Sequence, residues 1–288
     1  MRTLFAFVVW LGLASGAYAA SVGSADIVFI VDESGSMGGE QDFLEDIVDD
    51  LDILLALTGI TDVNYGVIGF GRTANSGDPR DVSSGLTDLT GAQNALANLE
   101  AEGSFEDGFV AIQFALDNLA LTAETRFFIL VTDEDRDIGN RRVTKTTVSD
   151  GITNADVTPV VIVNNQFFDD TGTRALGIDA DGEAFVADGT GGFNVGSTDA
   201  NSIGFSEGST DTDYVDLALT LGGTAWDLNL LRAGGSSAQS FSNAFLGITT
   251  GFEPAPSFDA VAAVPVPASL PLLAAGIGFL AYRRHQPH

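Results

Sequence analysis

Two uninterrupted apolar runs, Ile27 to Val31 and Phe127 to Val131, lead into aspartates, Asp32 directly and Asp133 after one threonine. A run without polar alternation leaves neither face of a strand to water, so each reads as a central strand buried on both sides. Amphipathic stretches lie between and after them. Phe43, Ile47, Leu51, Leu54 and Leu55 recur at helical spacing with Asp and Glu interspersed, and Ala92 to Leu99 and Phe109 to Leu119 read as further helices. Val63 to Phe70 and Val157 to Val163 add two strands. Strands alternating with helices predict an α/β fold: a doubly wound, mostly parallel sheet flanked by helices.

Residues 178 to 213 break the pattern. They are rich in Gly, Asp, Ser and Thr, with short apolar pieces such as Ala184 to Val186, and read as an inserted hairpin or long loop region. Leu217 to Leu231 and Ala238 to Ile248 resume it, the Gly222-Gly223 pair marking a turn into a last strand and then a closing helix. Trp226, just after that turn, is expected in the core. No internal repeat or second core interrupts residues 25 to 248, which are read as one domain.

Of 288 residues, 40 are acidic and 12 basic, a formal net charge of −28. Hydrophobic residues make up 45% and charged residues 18%, ordinary globular proportions, so the acidity does not signal disorder. Three of the basic residues, Arg2, Arg283 and Arg284, sit at the ends, which leaves the body more acidic still. Nucleic acid is therefore excluded as a partner by repulsion, and cationic or metal-bridged partners fit better.

The chain has no Cys, and its two histidines are His285 and His288. Cys-based zinc sites, disulfides, thiol nucleophiles, Ser-His-Asp triads and His bases are thus excluded from the body. Carboxylate, hydroxyl and backbone oxygens remain, the ligand set of hard cations such as Mg2+, Mn2+ or Ca2+.

The ends carry their own signals. Residues 1 to 20 read as a signal peptide: Arg2 starts it, Leu4 to Leu13 is apolar, and Ala17-Tyr18-Ala19 forms a small-x-small cleavage site. Residues 249 to 263 read as a linker. Val264-Pro265-Val266-Pro267-Ala268 then precedes an apolar run, Ser269 to Tyr282, broken only by Pro271 and closed by Arg283-Arg284. With the preceding residues this approaches the roughly 20 needed for one membrane span, with the arginines kept on the cytoplasmic side.

The tail, residues 264 to 288, resembles the PEP-CTERM class of sorting signals in its VPxPA form. That resemblance implies recognition by an exosortase-type processing enzyme and a place in a Gram-negative cell envelope or extracellular matrix. A plain single-span anchor is the alternative.

In open parallel sheets, ligands bind beyond the carboxyl ends of the strands. The loop Asp32-Glu33-Ser34-Gly35-Ser36-Met37-Gly38 begins at such an end and places hydroxyls two and four residues after a carboxylate. A tight turn can bring all three oxygens to one small space, where a hard cation would satisfy them. Each residue also has a plainer reading: the serines as helix caps, the aspartates as turn formers, Glu106 and Asp107 as acids favoured at a helix start. The electrostatic argument favours the cation, because two aspartates at one sheet edge repel each other without one.

With its strand context, this loop resembles the metal-ion-dependent adhesion site, DxSxS, of von Willebrand factor A domains. The match runs over roughly residues 25 to 248 and takes in the Thr132-Asp133 loop and the Tyr214-Val215-Asp216-Leu217-Ala218 stretch. Carried over by position, Asp32, Ser34 and Ser36 match the first metal loop and Asp133 the third. The second loop departs from the family pattern: Gly103-Ser104-Phe105-Glu106-Asp107-Gly108 has no Thr. Glu106 or Asp107 would replace the hydroxyl directly or through a water, with Ser104 the weaker candidate. A carboxylate there implies tighter cation binding and a less electrophilic metal.

The resemblance implies a non-enzymatic binding protein that uses Mg2+, Mn2+ or Ca2+ to hold a protein or matrix ligand offering a carboxylate or other oxygen donor, and the leader at residues 1 to 20 makes it an exported one. Two other readings stand beside it: an acidic structural component of an extracellular matrix, and, least favoured for want of a His base, a metal-assisted hydrolase. Asp179-Ala180-Asp181-Gly182-Glu183 begins a calcium-loop spacing but has Thr190 at the twelfth position instead of Glu, and reads more simply as a turn.

Overall fold

The computed structural model describes residues 23–71, 78–138, 142–206 and 208–251, all within the unit Met1–Glu253. The expected signal peptide with Trp10, the linker beyond Gly251 and the sorting tail lie outside the described residues. Among those described, no helix is long and apolar enough to cross a membrane.

In chain order the first half forms β1 (Gly23–Asp32), α1 (Gly38–Thr58), β2 (Ile60–Phe70), β3 (Arg80–Asp81), α2 (Leu89–Leu96), α3 (Gly108–Asn118), β4 (Thr125–Thr132), α4 (Lys145–Asn154) and β5 (Thr158–Val163). Then come β6 (Asn165–Phe168), β7 (Arg174–Ala175), β8 (Gly177–Asp179), β9 (Glu183–Ala187), β10 (Phe193–Ser197) and β11 (Ile203–Ser206). A π-helical turn at Asp211–Val215 leads into α5 (Asp216–Thr220), β12 (Thr224–Asp227), α6 (Leu228–Arg232) and α7 (Gly235–Thr250).

Among the described residues, nine strands make one sheet in the order β10-β9-β8-β12-β5-β4-β1-β2-β3. The five in the middle, β12 to β2, run parallel, and the strands outside them pair antiparallel. This is the doubly wound, mostly parallel α/β sheet expected from the alternation of elements. β1 lies inside it, between β4 and β2, and is buried on both faces. Ala25, Ile27, Phe29 and Val31 point into one core with Leu44, Val48 and Leu51 of α1 and Phe241 and Phe245 of α7. Val28 and Ile30 point into the other, with Phe109 and Ile112 of α3 and Val148 and Ile152 of α4. The two-residue period of the strand divides one apolar run between two layers of helix.

Two elements differ from the sequence reading. Helix α4 has little apolar signal in the sequence, because it buries only Val148 and Ile152; a capping box between Thr144 and Thr147 starts it instead. Residues 178 to 213 are more regular than a hairpin or long loop. β8, β9 and β10 extend the main sheet antiparallel, while β11 joins β6 and β7 in a second, three-stranded sheet.

The turns of this region share one device. Asp179 Oδ1 accepts from the backbone of Asp181 and Glu183, and Asp188 Oδ1 from that of Thr190 and Gly192. Asp169 and Asp199 do the same in the neighbouring turns. These aspartates replace the missing backbone partners of tight turns, which agrees with the plainer reading of residues 179–183. Trp226 is fully buried, stacked on Phe185 at 5.3 Å and edge-on to Phe241 and Phe245.

Candidate metal centre

The chain leaves β1 toward β2 on one side and later lays β4 on the other, so the carboxyl ends of β1 and β4 face each other at the point where strand order reverses. Val31 pairs with Val131 across them. That register sets Asp32 beside Thr132 and brings Asp133 to the start of the adjoining loop.

Asp32 is fully buried. Its Oδ1 accepts the Ser34 backbone N–H at 2.7 Å and its Oδ2 accepts Thr132 Oγ1 at 2.8 Å. Burial pushes its carboxyl up to about 7 despite these donors, and Asp133 adds to the rise. Ser36 Oγ donates to Asp133 Oδ1 at 2.9 Å. With its one proton committed there, Ser36 must accept at its 3.1 Å contact with Ser34 Oγ. Asp133 Oδ2 accepts Arg232 Nη2 at 2.7 Å. Asp32, Ser34, Ser36 and Asp133 thus lie in one short chain of polar contacts, joined by Thr132.

The second loop is zipped to the first. Gly35 N donates to Gly103 O, and Gly103 and Glu102 N to Glu33 O, each at 3.0 Å. Of its acids, Glu106 is turned toward the centre and Asp107 away. A Cβ placed on Gly71 would lie 2.9 Å from Asp32 Oδ1 and 3.4 Å from Glu106 Cγ, so both side chains press on the same glycine. Burial pushes the Glu106 carboxyl up to about 8, with Asp32, Glu134, Asp137 and Asp133 adding to it.

Asp107 instead takes Arg136 on both oxygens, at 2.6 and 3.3 Å, and caps α3 through Val110 N. Arg136 is also stacked over Phe109, 4.3 Å from its ring centre. Ser104 is exposed. Glu106 does not complete a three-carboxylate cluster: among the described residues, no three His, Cys, Asp or Glu side chains gather closely enough to hold a metal by themselves. The converging donors are two aspartates and the hydroxyls of Ser34, Ser36 and Thr132.

Several residues that shape the centre had no role in the sequence reading. Thr132 figured only as the residue before Asp133. Gly71 and Arg232 come from elements whose approach depends on the finished sheet, although the scarcity of basic residues in the body could have singled out Arg232. Glu33, between Asp32 and Ser34, is fully buried and held by Arg80 Nε at 3.0 Å, by Arg80 Nη2 and by Glu100 N at 2.8 Å. It anchors the loop from behind.

The profile of the von Willebrand factor type A domain family matches residues 26–190 of this chain. Among solved structures, proximal thread matrix protein 1 from the mussel byssus is similar at 19% identity and a TM-score of 0.37, over 49% of this chain and 35% of that one. A von Willebrand factor type A structure from Catenulispora acidiphila is similar at 19% identity and a TM-score of 0.35, over 49% of this chain and 33% of that one. The three N-terminal domains of the type V pili tip protein Mfa5 from Porphyromonas gingivalis give 17% identity and a TM-score of 0.31, over 40% of this chain and 20% of that one. This chain therefore spans about a third or less of the length of these structures. No curated protein matches it.

Proposed function

The chain belongs to the von Willebrand factor type A domain family, and from that premise we propose that it is an exported surface or matrix binding module whose adhesion depends on one divalent cation. Family membership speaks for adhesion or protein binding in general. The cation dependence is carried by one observation: two aspartates and three hydroxyls, from the ends of β1 and β4 and the loops that follow them, converge at the switch point of the sheet, where burial, with repulsion from Asp133 added, holds Asp32 up to about 7. The donors are all oxygen and the negative charge is in excess, which fits a hard cation.

Asp32, Ser34, Ser36 and Asp133 would hold Mg2+, or Mn2+ or Ca2+ in its place. Glu106 would act at one remove, its charge tightening the hold and making the metal less electrophilic, while Asp107 stays with Arg136. A bound cation supplies a Lewis-acidic position for a carboxylate or other oxygen donor of a protein or matrix partner. We propose binding and not catalysis, because neither histidine lies in the body to serve as a base. Residues 1–20 would direct export. Residues 264–288 would engage the membrane and an exosortase-type enzyme, leaving the domain in the cell envelope or outside the cell.

The test is a thermal shift of the purified protein with Mg2+, Mn2+ and Ca2+ against ionic-strength controls. Stabilisation by at least one of them, abolished by chelator and by Asp32→Ala, is expected. Absence of any shift beyond the controls would count against the centre. The net charge of −28 favours a second reading, an acidic hydrated component of the matrix. It predicts that Asp32→Ala leaves retention on the matrix unchanged, whereas the adhesion reading predicts its loss.

A further inference from the structure

Among the described residues, Arg80, Arg136 and Arg232 reach the loops around the centre, and the first two bind in the same way. Arg80 sets Nε and Nη2 on the two oxygens of Glu33, and Arg136 sets Nε and Nη2 on the two oxygens of Asp107. Each is a side-on pair in which fork meets carboxylate, the geometry guanidinium prefers.

Arg232, at the end of α6, is split. Its Nε holds Glu40 Oε1, in the first turn of α1, while its Nη2 reaches across to Asp133 Oδ2 at 2.7 Å and to the Ser36 carbonyl at 3.4 Å. The second oxygen of Glu40, Oε2, is buried and has no hydrogen-bond partner among the described residues, and the residue as a whole is only 5% exposed. A buried carboxylate oxygen left unpaired is costly, so the split arrangement forgoes a favourable contact to keep a positive group on Asp133.

We propose that Arg232 is a built-in counter-cation of the metal centre: it competes with the divalent ion for Asp133, and Glu40 Oε2 is the acceptor that takes its Nη2 when Asp133 turns to the metal. The inference rests on the cation-centre reading above. Its consequence is a threshold. Asp133 is neutralised while cation is scarce, and the ion must displace an internal rival to bind. Because the displaced guanidinium closes into a side-on pair with Glu40, like those of Arg80 and Arg136, the exchange satisfies an oxygen instead of stranding a charge.

The test is calorimetric titration of Mn2+ into the full chain and its variants. Arg232→Gln should bind Mn2+ about tenfold more tightly, since a unit charge a few ångströms from the ion is removed. Arg232→Lys, which keeps the charge, should return affinity to within about threefold of the parent. Lys145→Gln, which removes a positive charge paired with the exposed Asp216, should leave it unchanged. Glu40→Gln, a milder variant in case Arg232→Gln folds poorly, removes the waiting acceptor and should weaken Mn2+ binding about threefold or more.

A second readout follows the guanidinium itself: the Arg232 Nε–H resonance should shift on adding Mg2+. Unchanged or weaker binding in Arg232→Gln, unchanged or tighter binding in Glu40→Gln, or a tightening in Lys145→Gln equal to that in Arg232→Gln would overturn the proposal and leave the centre itself standing. If the folded parent and Arg232→Gln both fail to take up Mn2+, the cation-centre reading falls and this inference falls with it.

Discussion

Thr132 Oγ1 donates to Asp32 Oδ2 at 2.8 Å across a gap of 100 residues in the chain, and the bond is buried. It fixes the orientation of the Asp32 carboxylate and is, among the described residues, its side-chain donor from another strand. Thr132→Val keeps the shape and strands the oxygen. The expected loss is about 1–3 kcal/mol in urea denaturation, with weaker Mn2+ binding, and Thr132→Ser should restore most of both. A valine variant as stable as the parent would show that the contact does not hold the loop.

Glu33 is buried directly behind the first loop, with Arg80 and Glu100 N as its donors. Removing a buried carboxylate's partner is far worse than removing both. Arg80→Met should cost about 3–5 kcal/mol, and Glu33→Gln/Arg80→Met markedly less than that. Chemical denaturation of the single and double variants checks the ordering; equal losses would mean that solvent reaches Glu33 easily.

What could be read in the sequence follows from how many neighbours each residue needs. Ile27 to Val31 and Phe127 to Val131 are visible because burial on two faces writes itself as an unbroken apolar run. The spacing of Asp32, Ser34 and Ser36 is local, so their proximity follows from a single turn. Helix α4 is hidden because Val148 and Ile152 alone face the core, and β8 to β11 are hidden because short, partly exposed strands carry no strong alternation. Arg232 meets Asp133 across 99 residues through the docking of a five-residue helix, and nothing in its own neighbourhood announces it. The choice between Glu106 and Asp107 likewise turns on Arg136, which belongs to a different loop.

The raised carboxyls give the metal-free protein a distinctive pH dependence. Asp32 rises from 3.8 to about 7 and Glu106 from 4.5 to about 8, in both cases chiefly through burial. A carboxyl that ionises less readily folded than unfolded weakens the fold wherever it is ionised. In chelator, stability should therefore be highest below about pH 4 from these groups and be lost as pH rises through about 7 to 8. Saturating Mg2+ should flatten this slope by stabilising the ionised forms, and uptake at neutral pH should release protons. Urea midpoints measured with and without Mg2+ decide it; identical profiles would mean that the cation does not meet these carboxylates.

Gly71 tests whether the centre tolerates any intrusion. Its φ of +81° disfavours a side chain, and a Cβ there would sit 2.9 Å from Asp32 Oδ1. Gly71→Ala therefore combines backbone strain with a push on a candidate ligand. Gly172, with φ of +82° and nothing within 4 Å of its would-be Cβ, isolates the strain. Gly172→Ala should cost about 1 kcal/mol and leave Mn2+ affinity alone. Gly71→Ala should cost more, about 2 kcal/mol or above, and also weaken Mn2+ binding, because Asp32 has no room to move without breaking its bond to Thr132 or crowding Glu106. If the two alanine variants behave alike in both denaturation and Mn2+ titration, the space around Asp32 is more forgiving than its contacts imply.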